Sequence, residues 1–481
     1  MRRQLSDFME RRVLLALAAA SLSSVAFAVG CGSSTPVSIG DSGTDADSDA
    51  DGDTDTDADT DADSDTDSDT DSDTDTGPHL AIEISCGHLH NCVVLEGGTV
   101  RCWGRGSSGQ LGYGATENVG DDETPASIGN VDVGGTVAHV AAGGYHTCAL
   151  LESGAVRCWG TSGQGQLGYG NTEAIGDDET PASAGDVDVG GTVVQLAAGL
   201  WHTCALLEGG HVRCWGGGTT EQETNFGQLG YGNHTMIGDN ETPASVGDVD
   251  VGGNVTQITA GWYHTCALLD TGDVVCWGLG WSGRLGYGNN EDIGDNETPA
   301  LVGTVEVGGE TVQITAGGAH TCAVLEEDTV RCWGGGDIYF LDYRGQLGYG
   351  NTENIGDDEL PYTAGDVDVG GPVTALDLGK DTTCALLESG VVRCWGASSV
   401  GQIGYGNTED IGDDETPDSA GDIDVGVNAV QISAGGAHTC ALLDTGRVRC
   451  WGGGADGVLG YGNEENVGDD ETPASAGDVP L

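Results

Sequence analysis

The segment His146-Thr-Cys-Ala-Leu-Leu-Glu-Ser-Gly-Ala-Val-Arg-Cys-Trp-Gly160 decides the fold. Two short runs of apolar and β-branched residues flank Glu152-Ser153-Gly154, and a glycine in so short a connection marks a tight hairpin. Copies of the segment place their first cysteine at 92, 148, 204, 266, 322, 384 and 440, in steps of 56 or 62 residues. Seven copies of this length make a repeat architecture, a reading that outranks local propensity. Each copy reads as four strands. In the third copy they are 193–198, 202–207, 211–215 and a stretch near Thr242-Pro-Ala-Ser-Val246, the last after a long Gly-rich connection. Four strands per unit, seven units and no helical period predict an all-β fold, a seven-bladed β-propeller over 79–481. The first copy lacks a preceding Thr-Pro strand, while the last has a spare one at Thr472-Pro473-Ala474-Ser475. That spare strand is expected to complete the first blade.

Every first cysteine has a second one ten residues on: Cys92 and Cys102, Cys148 and Cys158, Cys204 and Cys214, Cys266 and Cys276, Cys322 and Cys332, Cys384 and Cys394, Cys440 and Cys450. The hairpin sets Leu151 opposite Ala155, and counting outward sets Cys148 opposite Cys158. Directly opposed residues at a non-hydrogen-bonded pair lie ~4.5 Å apart at Cα, at the short end of disulfide geometry. Seven intra-blade disulfides are therefore expected, in keeping with an oxidising compartment. Zinc sites gather their cysteines in close pairs instead. Cys86 falls outside the ladder and has no evident partner.

The amino terminus agrees with export. Arg2, Arg3, Arg11 and Arg12 precede an apolar run from Val13 to Val29 that is interrupted by Ser21, Ser23 and Ser24. That is a signal peptide, 1–30, rather than a membrane span. Ala28-Val29-Gly30-Cys31 resembles a bacterial lipoprotein cleavage box, in which Cys31 would carry lipid and become the new terminus. Cleavage after Ala28 would instead leave Cys31 a free thiol. Residues 31–78 read as the lipidated cysteine and a linker. Within it, 41–76 holds 17 Asp and no aromatic residue, so nothing can be buried and the segment is expected to be disordered. The expected setting is an outer-membrane lipoprotein, periplasmic or surface-exposed, touching membrane only through its anchor and monomeric. A balance of 15 Lys plus Arg against 78 Asp plus Glu, formally −63, argues against a nucleic-acid partner, whose phosphates need cations.

Leu196-Ala-Ala-Gly-Leu-Trp-His-Thr-Cys-Ala-Leu206 resembles half of the repeat of the regulator-of-chromosome-condensation family. Val156-Arg-Cys-Trp-Gly160 with Gly165-Gln-Leu-Gly-Tyr-Gly170 resembles the other half, and the likeness recurs seven times over 79–481. The resemblance implies a seven-bladed propeller; the paired cysteines depart from that family's usual strand residues. The founder's nucleotide exchange on a small GTPase and its chromatin binding do not suit an exported acidic protein, and no exchange residues map onto this chain. Secreted bacterial relatives that inhibit β-lactamases imply that the fold can grip proteins outside the cytoplasm.

Six copies carry a histidine at the start of the second strand, at 90, 146, 202, 264, 320 and 438; the sixth copy has Thr382. They read as scaffold, bonding backbone inside their own blade, rather than as a metal ring. Trp103, Trp159, Trp215, Trp277, Trp333, Trp395 and Trp451 read as blade packing. No catalytic residue stands apart from the repeat. The loops are more informative. First-to-second connections carry Tyr145, Trp201, Trp262 and Tyr263; third-to-fourth connections carry Trp281 and, in an insertion of copy five, Tyr339, Phe340 and Tyr343. Aromatics on a polar rim mark contact surfaces, so blades two to five are expected to form a recognition crescent, the alternative being that the rings fill gaps between loops. Every copy also has an acidic tripeptide such as Asp177-Asp178-Glu179. It suits a turn before Thr-Pro or a calcium ligand set; no other cofactor is expected. The function expected is binding or adhesion at the cell envelope with a protein or glycan partner, not catalysis. The alternatives are a carboxylate-dependent hydrolase or lyase acting on envelope polymer and a calcium-dependent structural surface protein.

Overall fold

A computed structural model describes residues 80–217, 226–336 and 344–481. Cys31, the Asp-rich segment 41–76, and Tyr339, Phe340 and Tyr343 lie outside the described residues. The described chain forms seven three-stranded antiparallel sheets, each built from consecutive strands, the blades of a seven-bladed β-propeller. In the first blade the strands are β1 (Ala81–Cys86), β2 (His90–Leu95) and β3 (Val100–Gly104). Each middle strand is buried along its whole length. The reason is that one face packs on the preceding blade and the other on the next.

The cysteine pairs lie directly opposite one another in the register of the second and third strands, as in Cys148 against Cys158. All seven predicted disulfides are formed, with Cα atoms 4.0–4.1 Å apart, and their sulfur-bearing residues are fully buried. Cys86 alone among the described cysteines is unbridged.

Two expectations need correction. The Thr-Pro stretch is not a strand: Pro125–Ile128, Pro181–Ala184, Pro243–Val246 and their equivalents are single helical turns with proline in the first turn. Proline's fixed φ suits that position, and its missing N–H would leave a gap in a ladder. The outer edge of the third strand is covered piecewise instead. In blade one, Val131 N–H bonds the Val100 carbonyl (2.8 Å) and Gly104 exchanges two bonds with Val119. Between them the Tyr113 hydroxyl accepts from Cys102 N–H (3.1 Å) and donates to the Cys102 carbonyl (2.9 Å). Residues 100, 102 and 104 are the ones that face outward in the ladder, so three separate contacts do the work of a fourth strand. Burial pushes the Tyr113 and Tyr169 hydroxyls up to about 12. Replacing Tyr169 by Phe should leave Cys158 N–H without its partner and cost about 1–3 kcal/mol, read as a lowered denaturant midpoint at an unchanged slope.

Nor does the carboxy-terminal segment complete the first blade. Val479 N–H bonds Val448, in the third strand of blade seven, so each repeat supplies its whole blade. The ring closes through contacts of the kinds that join the other blades. Ala126 N–H reaches the Pro480 carbonyl as Ala182 N–H reaches that of Asp132. The Gln431 amide pairs with both backbone groups of Ile84, as Gln195 does with Ile258.

Candidate functional site

The recurrent histidines are scaffold, but their partners lie in the next blade and not in their own. Nε2 of His90, His146, His202, His264 and His320 lies 2.8–2.9 Å from Oγ1 of Thr147, Thr203, Thr265, Thr321 and Thr383. The single proton of Thr147 goes to the Gln110 carbonyl, so His90 must be the donor. At the closing seam Asn91 replaces the threonine: its Oδ1 accepts from His438 (2.6 Å) and its Nδ2 donates to the Val458 carbonyl (2.6 Å). The tryptophan of the following blade shares the same acceptor, as Trp159 Nε1 does with Gln110 (2.9 Å). This explains the glycine of Gly-Gln-Leu-Gly: a Cβ on Gly112 would stand 2.8 Å from Trp159 Nε1 at a φ of +82°. Burial drives the histidines far down, His90 and His202 to about 3 and His146 to about 4. They are neutral wedges between blades.

The first strands line a central channel with a cavity of about 300 Å³. Its wall carries an ion pair of His139 with Glu83 at the seam of blades one and two; the glutamine pairing serves the seams of blades three and four, four and five, five and six, and seven and one. A second ring of the wall is Ser85, Ala141, Ala197, Thr259, Thr315, Asp377 and Ser433. Side-chain oxygens of this ring accept N–H groups of the next blade: Ala142 to Ser85, Ala316 to Thr259, Ala434 to Asp377 and Cys86 to Ser433.

At one end of the channel the first-to-second loops bring rings together. Tyr145 stacks on Trp201 with centroids 4.8 Å apart. His88 meets Trp262 edge-on at 5.2 Å and Tyr145 at 6.1 Å, and the Lys380 ammonium stands 5.5 Å from the Trp262 ring centre. His88, Trp262 and Lys380, from blades one, four and six, all line the mouth of the cavity. Tyr263 packs under the cluster against Phe226, at 5.7 Å, with Leu200 and Leu279 beneath. So four of the predicted aromatics converge, and Phe226, from a third-to-fourth connection, meets them on the same face. They are arranged differently from a crescent: Tyr263 is buried and fills a gap, whereas Tyr145, Trp201 and Trp262 remain partly exposed. Trp281 is 46% exposed and makes none of the described ring contacts. His88 and Lys380 were not singled out from the sequence. Their signal was that positions 88 and 380 are polar where the other blades carry glycine, leucine or tryptophan, at Gly144, Leu200, Trp262, Gly318 and Gly436.

The acidic tripeptides fold as turns, with Asp121 Oδ1 accepting from Asp122 N–H (3.0 Å) and Asp413 Oδ1 from Asp414 N–H (3.1 Å). Their carboxylates, those of Asp177, Asp178 and Glu179 among them, come within 4.8 Å of one another. Partial burial and the neighbouring aspartates lift Glu179 to about 7.

Among known proteins, the model of the RCC1-like domain matches residues 120–478, and that of the regulator of chromosome condensation (RCC1) repeat matches 81–110. The Arabidopsis thaliana ultraviolet-B receptor UVR8 is 32% identical over 390 residues, covering 80% of each chain. The human E3 ubiquitin-protein ligase HERC2 is 29% identical over 255 residues, 53% of this chain but 5% of its own length. The crystal structure of Prp20p from Saccharomyces cerevisiae superposes with a TM-score of 0.60 at 19% identity, over 82% of this chain and 87% of that one; at that identity the likeness concerns the fold. The repeat, the blade count and the matched models agree: the chain belongs to the RCC1-like repeat family.

Proposed function

We propose that this protein is a non-catalytic binding propeller of the cell envelope, exported and held by a lipid on Cys31, that grips a protein or glycan partner with the aromatic loops of one face. The observation that carries the reading is the stack of Tyr145 on Trp201 beside Trp262, partly open to solvent at the mouth of the channel. Large rings that stay partly exposed on a rigid scaffold supply contact area at little entropic cost. RCC1-like propellers are suited to protein interaction. UVR8 is by name a receptor, and Prp20p was solved together with its binding properties to Gsp1p and histones. Those partners are properties of Prp20p and are not carried over to this chain. The Asp-rich segment would serve as a stalk.

The test is capture from native envelope extract by the full chain and by its Trp201→Ala, Trp262→Ala double variant. The double variant is expected to lose the captured partner at least tenfold while keeping its thermal transition. Equal capture by both would reject the face. Cys31→Ser is expected to move the protein from the membrane to the soluble fraction, and retention in the membrane would reject the anchor.

A further inference from the structure

In a chain that repeats itself so closely, departures from the repeat show which positions are released from scaffold duty, and the inner wall departs most in blade six. Blade five reads Ile314-Thr315-Ala316-Gly317-Gly318-Ala319-His320 and blade seven reads Ile432-Ser433-Ala434-Gly435-Gly436-Ala437-His438. Blade six reads Leu376-Asp377-Leu378-Gly379-Lys380-Asp381-Thr382. Immediately before this stretch it has Ala375 where blades five and seven have Gln313 and Gln431.

Asp377 is the instructive change. At its position the scaffold asks for one oxygen to accept the N–H of the next blade, which Ser85, Thr259 and Ser433 provide with a hydroxyl. Asp377 Oδ2 does the same for Ala434 N–H at 2.7 Å. A carboxylate therefore adds a charge that this acceptor role does not need. No described cation forms an ion pair with it: the wall's histidine, His139, is taken by Glu83, and Lys380 at the rim pairs with Asp381 at 3.1 Å. The hydroxyl of Ser433 and the backbone N–H groups of Leu378 and Ala434 hold the charged form while burial opposes it, leaving Asp377 at about 6. An unpaired carboxylate on the wall of a cavity of about 300 Å³, with a ring of hydroxyls at its level and the Trp262 ring at the mouth, is complementary to a small cation with an organic body.

We propose that the inner wall of blade six binds a small organic ammonium ion, with Asp377 accepting its N–H groups and Trp262 covering the entrance. The site lies within the channel and does not depend on the outer aromatic face binding a macromolecule.

The test is calorimetric titration of the full chain with putrescine, and with 1,4-butanediol as its uncharged counterpart, on wild type, Asp377→Asn and Asp377→Ser. The asparagine keeps an oxygen for Ala434 N–H, and the serine restores the residue of blade seven, so each is expected to keep the wild-type thermal transition. Wild type should bind one equivalent of putrescine in a saturable step that weakens at least tenfold in both variants, with no saturable binding of the diol. Loose association of the diamine with the Asp-rich segment is common to all three proteins and cancels in the comparison. Absence of a saturable step, equal binding by the variants, or equal binding of the diol would overturn the proposal.

Discussion

Acidification below about pH 6.5 is expected to unfold the propeller through its blade seams. Six buried histidines each donate from Nε2 to a neighbouring blade, and in five of them Nδ1 is buried without a partner. Protonation would place a charged N–H where no acceptor exists. Their pKa is lowered in the folded state, to about 3 or 4 where a value is resolved. A lowered folded pKa means that the unfolded chain binds more protons. The stabilisation is therefore complete above the ordinary histidine value and is lost as pH falls from there toward the folded values. Each histidine costs about 1.4 kcal/mol per pH unit in that window, so six cost about 8 kcal/mol per unit.

The acidic turns act in the opposite sense, because Glu123, Glu179, Glu359 and Glu415 are raised to about 6 or 7, and acid relieves their repulsion. They are only partly buried and are screened by solvent, so the histidines should win. Chemical denaturation should show proton uptake on unfolding that rises from about one or two at pH 7 toward about six near pH 5, and His202→Gln should reduce the low-pH value by about one. A stability independent of pH in this range would show that the histidines are not neutral wedges.

Reduction is the second large effect. Each bridge spans ten residues, and closing a loop of that size is worth about 2–3 kcal/mol, so seven together reach about 14–21 kcal/mol, as much as the whole stability of an ordinary domain. The native protein should resist dilute reductant, because its bridged cysteines are fully buried. Unfolded in urea, reduced, and diluted back into reductant, the chain is expected to stay without a near-ultraviolet circular dichroism signal; dilution into an oxidising buffer should restore it. Recovery of the signal and of a thermal transition within a few degrees of the oxidised protein, with all thiols free, would show that the bridges are incidental.

The two predictions rest on features with very different visibility in the sequence. The cysteine pairing was legible because a hairpin fixes its own register: once Glu152-Ser153-Gly154 is the turn, Cys148 must face Cys158. What bridges blades was not, since it joins residues some 57 or 63 positions apart, such as His90 to Thr147 and His202 to Thr265. A hint was present. A threonine follows the histidine in every later copy that has one, and the first copy has Asn91, the substitute that still offers an acceptor to His438. The fourth strand was misread because Thr-Pro-Ala-Ser is β-compatible at Thr and helical thereafter, and because a tyrosine hydroxyl eleven or more residues away closes the strand edge. The convergence of His88, Trp262 and Lys380 from three non-adjacent blades follows only from closure of the ring. Asp377 could have been found by asking where the repeat breaks rather than where it holds.

The claim beneath all of this is that every repeat is a self-contained, cross-linked blade and that the ring shuts without exchanging segments. Non-reducing peptide mapping of the oxidised full chain, with free thiols alkylated beforehand, addresses it directly. The account predicts seven linked peptides, each joining cysteines ten residues apart, and Cys86 recovered alkylated. Linked peptides joining cysteines of different repeats, in more than trace amount, would contradict it.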